Sequence, residues 1–171
     1  MGRLTKEDIF LMGRNLPRVA VETGTCEGVQ LKVLTEVFKS VYGIEINEHY
    51  FKESKRNVPD AMMILGDSRK ELPHLFLDEP MIFFLDAHYC SLQPEIAKTP
   101  FPLWEELELI RKRYQKDIIV VDDVHTFGVQ RRDLRYTPFA KEWESVTPSS
   151  IMEYFPGAIS KIYKDSFIIW L

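Results

Sequence analysis

The sequence predicts an α/β fold: a doubly wound, mostly parallel sheet finished by an antiparallel hairpin at the C-terminus, in a single domain spanning residues 1–171. Three observations predict it. From Arg18 onward, short apolar runs alternate with amphipathic stretches, the pattern of strands buried on both faces between helices. The chain closes on "ISKIYKDSFIIWL", two strand-like runs around a short polar tip, which must pair antiparallel. A length of 171 residues suits one substantial core and is short for two domains of ordinary size.

The elements follow in order. "RVAVET" is the first strand and runs into the glycine-punctuated turn "GTCEG"; "GVQLKVLTEVFK" then places Val29, Val33, Leu34 and Val37 on one helical stripe. "SVYGIEI" is the second strand, followed by the polar helix "EHYFKESKRN" and a break at Pro59-Asp60. "MMILGD" is the third, leading into a helix near "SRKELPHLFL" that Pro73 interrupts or ends. "MIFFLDAH", the most apolar run, is the fourth; the amphipathic helix "LWEELELIRKRY" separates it from "DIIVVDD", the fifth. Only about one helix fits ahead of Arg18.

Hydrophobic content of 45% and charged content of 28% exclude disordered and fibrous classes. A net charge of −4 gives no reason to expect nucleic acid or an anionic membrane as partner, the local group Arg131, Arg132 and Arg135 aside. Cys26 and Cys90 make neither a disulfide framework nor a zinc spacing, which suits a reducing compartment. With no leader-like apolar core at the N-terminus and no run of membrane-spanning length, the expectation is a cytoplasmic protein.

In open α/β sheets ligands bind beyond the carboxyl ends of the strands. Here those ends carry acids: Glu22, Glu45, Asp67, Asp86, and the pair Asp122 and Asp123. Each alone reads as an ordinary loop carboxylate or helix cap. Gathered on one rim they repel one another unless a ligand's hydroxyls, amines or a metal ion compensates. Glu45, about twenty residues beyond the glycine turn, is placed to accept hydrogen bonds from ribose hydroxyls. Gly24 and Gly28 permit close backbone approach, but in E-T-G-T-C-E-G the middle glycine of a dinucleotide fingerprint is replaced by Cys26 and Glu27 adds negative charge. A ribose-bearing ligand without a diphosphate fits better.

With these residues assembled, the chain from Arg18 to Leu171 resembles the class I S-adenosylmethionine-dependent methyltransferases, whose Rossmann-like sheet ends in such a hairpin. "VETGTCEG" looks like the family's first motif. The resemblance implies that Glu22, Gly24, Thr25 and Gly28 face the methionine portion, that Glu45 with Ile46 holds the ribose, and that Asp67 with Ser68 meets the adenine edge. "LDAHY" and "VVDDVH" resemble, more narrowly, the metal-dependent O-methyltransferases of catechols and of macrolide and aminocoumarin sugars. That implies Mg2+ or another hard divalent cation on Asp86, Asp122 and Asp123, with Asp86 also beside the cofactor, and methyl transfer to a hydroxyl of a small molecule. His88 and His125 are the candidate bases. Tyr89 stands where the catechol type has a lysine, and the short N-terminus leaves "CSLQPEIAKTPFP" and "RRDLRYTPF" as candidate covers; a homodimer is compatible with the pattern. Competing readings are a metal-independent methyltransferase, a nicotinamide-dependent oxidoreductase, which wants the missing glycine fingerprint, and a non-catalytic cofactor-binding domain.

Overall fold

The computed structural model describes residues 3–88, 101–113, 115–128 and 144–171. Tyr89, Cys90, the arginine group and nearly all of the two candidate cover segments lie outside them. Strands β1 (Val19–Thr23), β2 (Ser40–Glu45), β3 (Met62–Leu65), β4 (Met81–Leu85), β5 (Ile118–Val121), β6 (Ile159–Tyr163) and β7 (Ser166–Trp170) form one sheet in the order β3-β2-β1-β4-β5-β7-β6. The first five are parallel; β7 runs antiparallel to both β5 and β6. The order reverses between β1 and β4, so the loops after these two strands diverge and open a crevice at their carboxyl ends.

Helices α1 (Lys6–Phe10), α2 (Val29–Thr35), α3 (Glu48–Asn57), α4 (Ser68–Leu75), α5 (Leu103–Arg111) and α6 (Pro148–Met152) complete the described residues, with a single 3-10 turn at Val124–Thr126. Because side chains alternate along a strand, β1 and β4 feed two cores. Val19, Val21, Phe83 and Leu85 pack with Leu72, Leu107 and Ile151 on one face; Ala20, Ile82 and Phe84 pack with Ile9, Leu31 and Leu34 on the other. β1, β4 and β5 are buried along their whole length, as continuous apolar runs require.

Local boundaries differ from the sequence expectation in instructive ways. Helix α2 stops at Thr35, and Lys39 and Ser40 instead donate to the Arg18 carbonyl as the chain re-enters the sheet. Pro73 sits inside α4, which ends two residues later, as the lost donor and ring clash of an interior proline favour. The tip "KDS" turns at Lys164, which has φ +53°. The segment before β1 packs onto the molecule: Asp8 closes a capping box with Thr5 and reaches the Tyr163 hydroxyl and the Lys164 ammonium on the terminal hairpin. No helix among the described residues is long and apolar enough to cross a membrane.

Candidate functional site

The turn after β1 is held by its own chain. Gly24 has φ +76°, and a Cβ there would stand 2.5 Å from the Asp86 carbonyl and 2.7 Å from the Ala87 Cα. A Cβ on Gly28, at φ +81°, would stand 3.0–3.3 Å from Val58 and Ser54 of the α3 region. The glycines therefore let the β1 exit lie against the β4 exit on one side and α3 on the other. Cys26, also left-handed at φ +48°, donates its N–H to Glu45 Oε2 at 2.9 Å. Thr25 is buried with its hydroxyl 3.4 Å from that of Ser54.

Glu45 is 6% exposed and accepts from Cys26 N on one oxygen and from Asn47 N on the other, both at 2.9 Å. Burial holds its pKa above the ordinary value, partly offset by those backbone donors. Each oxygen retains a lone pair, so the carboxylate can still accept hydroxyls while fixing the floor of the crevice. Ile46 beside it is exposed. Asp67 behaves differently: it caps α4 and is gripped by Arg69 through Nε at 2.9 Å and Nη2 at 2.6 Å, which holds its carboxyl below the ordinary range. Its oxygens face that guanidinium. Ser68 is buried beside Glu106 of α5, a residue absent from the sequence-derived set. Glu106 is 1% exposed, one of its oxygens has no partner, and burial pushes it up to about 7.

On the face of the sheet away from α5, Leu4, Glu22, Gln30, Asp86, Asp122 and Ser166 line a small cavity. Glu22 is 1% exposed; burial and then the nearby Asp86 charge hold its carboxyl well above the ordinary value. Glu22 Oε2 and Gln30 Nε2 are buried without a hydrogen-bond partner. Leu4 closes the cavity, its N–H donating to Gln30 Oε1 at 3.1 Å. Sequence reasoning left the cover to later loops; the pre-β1 segment supplies one here.

The acids after β4 and β5 separate into two groups. Asp86 Oδ1 lies 3.0 Å from His88 Nδ1, and His88 Nε2 lies 3.0 Å from Asp123 Oδ2. Donor atoms of these three residues fall within 4.8 Å of one another, a spacing that fits a metal ion. Asp122, expected with them, turns instead to the Ser166 hydroxyl at 3.1 Å and to the Glu22 cavity, where burial and the Asp86 charge push it up to about 6. The physical reason is the alternation of side chains along β5: Asp122 continues the face of Ile118 and Val120, on which the Glu22 cavity lies, while Asp123, at φ +58°, turns off the strand. Burial disfavours charge on His88, but hydrogen bonds and charge from Asp123 and Asp86 outweigh it and push the imidazole up to about 10. A ring held protonated in this way is a poor base near neutral pH. His125 is 61% exposed and its Nδ1 contacts both Asp165 oxygens, at 2.7 and 2.9 Å. Asp165, at the hairpin tip, is a second residue that no motif singled out.

No protein-family model and no curated protein sequence matches the chain. Solved structures do. A SAM-dependent methyltransferase from Aquifex aeolicus superposes with TM-score 0.59 at 14% identity, covering 96% of this chain and 87% of that one. A candidate methyltransferase from Streptococcus mutans, solved with SAH, gives 0.58 at 11% identity over 99% and 98% of the two chains. A candidate caffeoyl-CoA O-methyltransferase from Staphylococcus aureus gives 0.56 at 16% identity over 90% and 75%. An rRNA methylase from Streptococcus thermophilus shares the fold as well, so the fold leaves the acceptor open. What these likenesses establish is architecture: the chain has the class I methyltransferase fold, a Rossmann-like seven-stranded sheet with its terminal antiparallel hairpin.

Proposed function

We propose that this protein is an S-adenosylmethionine-dependent methyltransferase acting on a hydroxyl of a small molecule, with a divalent cation at the acceptor end. The observation that carries the reading is the cavity with orphaned polar atoms. Glu22 Oε2 is an acceptor and Gln30 Nε2 a donor, both buried and unpaired, with Asp86 beside them. An unpaired buried polar group costs about 1–3 kcal/mol, so this acceptor and this donor favour a ligand group that can donate to one and accept from the other, as an ammonium with a carboxylate does. The methionine end of the cofactor is such a ligand. Glu45, with lone pairs to spare, then takes the ribose hydroxyls, and exposed Ile46 offers an apolar surface to the base. Asp67 contributes through Arg69 and the α4 cap, and Gly24, Thr25 and Gly28 shape the crevice wall.

Asp86 and Asp123, which lie with His88 in one cluster whose ligand atoms fall within 4.8 Å of one another, are the acids that would hold a divalent cation. A bound ion lowers the pKa of a coordinated hydroxyl. The chain's own residues orient and accept protons. His125 is fixed by Asp165 on Nδ1, so its Nε2 is the better placed of the two candidate bases for an acceptor's proton. Calorimetry with S-adenosylhomocysteine and with NAD tests the reading. We expect the first to bind and the second not to. Binding of NAD instead, or of neither, overturns it, and methyl transfer that is indifferent to a chelator removes the cation.

A further inference from the structure

We infer that the start of the segment ahead of β1 is an autoinhibitory plug: Leu4 seals the Glu22 cavity and must lift before a ligand enters, while Asp8, latched to the terminal hairpin, keeps the rest of the segment in place. This rests on the methyltransferase reading in taking the cavity as the end that receives the cofactor's ammonium and carboxylate. Three observations carry it. First, the cavity is too small as it stands. Its volume of about 10 Å3 is room for one water, and an ammonium, a carboxylate and the carbon joining them need several times that. Glu22 Oε2 and Gln30 Nε2 are buried, so a ligand reaches neither while Leu4 is in position. Second, the segment imitates a ligand incompletely. The Leu4 N–H fills the Gln30 Oε1 acceptor at 3.1 Å; burial and the Asp86 charge hold the Glu22 carboxyl up, and the positive charge that opposes them is that of Arg3. Both orphaned atoms stay unpaired all the same, so a ligand that satisfies them gains by displacing the plug.

Third, the restraint is unequal along the segment. Ile9 is fully buried, the Met12 carbonyl accepts from Trp170 Nε1 at 3.0 Å, and Asp8 closes the capping box with Thr5 while accepting from the Tyr163 hydroxyl at 2.9 Å and from the Lys164 ammonium. Ahead of Thr5, Leu4 is held by its own burial and by the bond to Gln30. Residues 3–4 can therefore lift about Thr5 while α1 stays docked. A closed state that excludes ligand lowers the apparent affinity by the fraction of molecules that are open, so weakening the plug tightens binding. A Leu4 that merely packed against bound cofactor gives the opposite sign, because truncating it removes contacts.

The test is calorimetry of S-adenosylhomocysteine on the full chain and on its Leu4→Ala and Lys164→Gly variants, with amide hydrogen exchange followed by NMR. We expect Leu4→Ala to bind at least roughly fivefold tighter than wild type. Lys164→Gly removes the ammonium from Asp8 and suits the φ of +53° at that position, and should bind roughly twofold tighter. Added S-adenosylhomocysteine should speed exchange of the Leu4 amide and leave that of Ile9, on the Thr5 carbonyl, unchanged. Affinity that is unchanged or weaker in Leu4→Ala, or a Leu4 amide that the ligand protects further, overturns the inference. Should Leu4→Ala fail to fold, Lys164→Gly and the wild-type exchange decide. Those contrary results in a wild type that binds the ligand remove the plug alone, whereas binding by neither wild type nor Leu4→Ala removes the methyltransferase reading and the plug with it.

Discussion

Replacing Glu106 with Gln should stabilise the protein, and should do so only above mildly acidic pH. The residue lies on the buried stripe Leu103, Glu106, Leu107 and Ile110 of α5, is 1% exposed, and has one oxygen without a partner. Burial raises its carboxyl to about 7 from an ordinary 4.5, with the Ser68 hydroxyl offsetting part of the effect; the Thr23 hydroxyl lies near without an aligned bond. As pH rises, the unfolded chain releases this proton first, so stability falls between about 4.5 and about 7 and levels off above. That gap corresponds to about 3 kcal/mol. Glutamine keeps the shape and cannot ionise, so the difference between mutant and wild type isolates this one group from Glu22, Glu45 and Asp122. Urea unfolding at half-unit pH steps from 4 to 8.5 measures it. The two proteins should be nearly equally stable at the acid end, with the mutant ahead by up to about 3 kcal/mol at pH 8. A difference that does not change with pH refutes the reasoning, because it means Glu106 is charged, or solvated, in the folded state.

Three further outcomes are expected. Glu45→Ala should weaken S-adenosylhomocysteine binding by about 1.5–3 kcal/mol, read by calorimetry on folded protein, because a charge-assisted acceptor is lost along with the anchor of the Cys26 turn. Gly24→Ala should cost about 1–3 kcal/mol of stability or more in denaturant unfolding, since φ is +76° and the new methyl meets the Asp86 and Ala87 backbone. His125→Ala should cut turnover by roughly 10²-fold while leaving S-adenosylhomocysteine affinity unchanged. Wild-type rates in that mutant near neutral pH would remove it as the base.

The sequence by itself determined the architecture and the rim. Strand order could not be read from it, but five apolar runs, the intervening amphipathic stretches and the closing hairpin are local patterns, and an acid at the end of a strand stays at the end of that strand whatever surrounds it. Glu22, Glu45, Asp86 and Asp123 accordingly sit where the pattern put them. A signal for Glu106 was present too, as a carboxylate on an apolar helical stripe. Tertiary structure decided which way each carboxylate faces and what it meets. Asp122 and Asp123 are adjacent in sequence, yet one reaches Ser166 and the other His88, because neighbouring residues at a strand end face opposite sides of the sheet and so meet different elements. His125 finds Asp165 across 40 residues, and Leu4 covers the cavity through Gln30 across 26. Such contacts depend on where the hairpin and the N-terminal segment come to rest, and that is fixed by packing of the whole sheet, through Asp8 on Tyr163 and Ile9 in the core, rather than by any local run of residues.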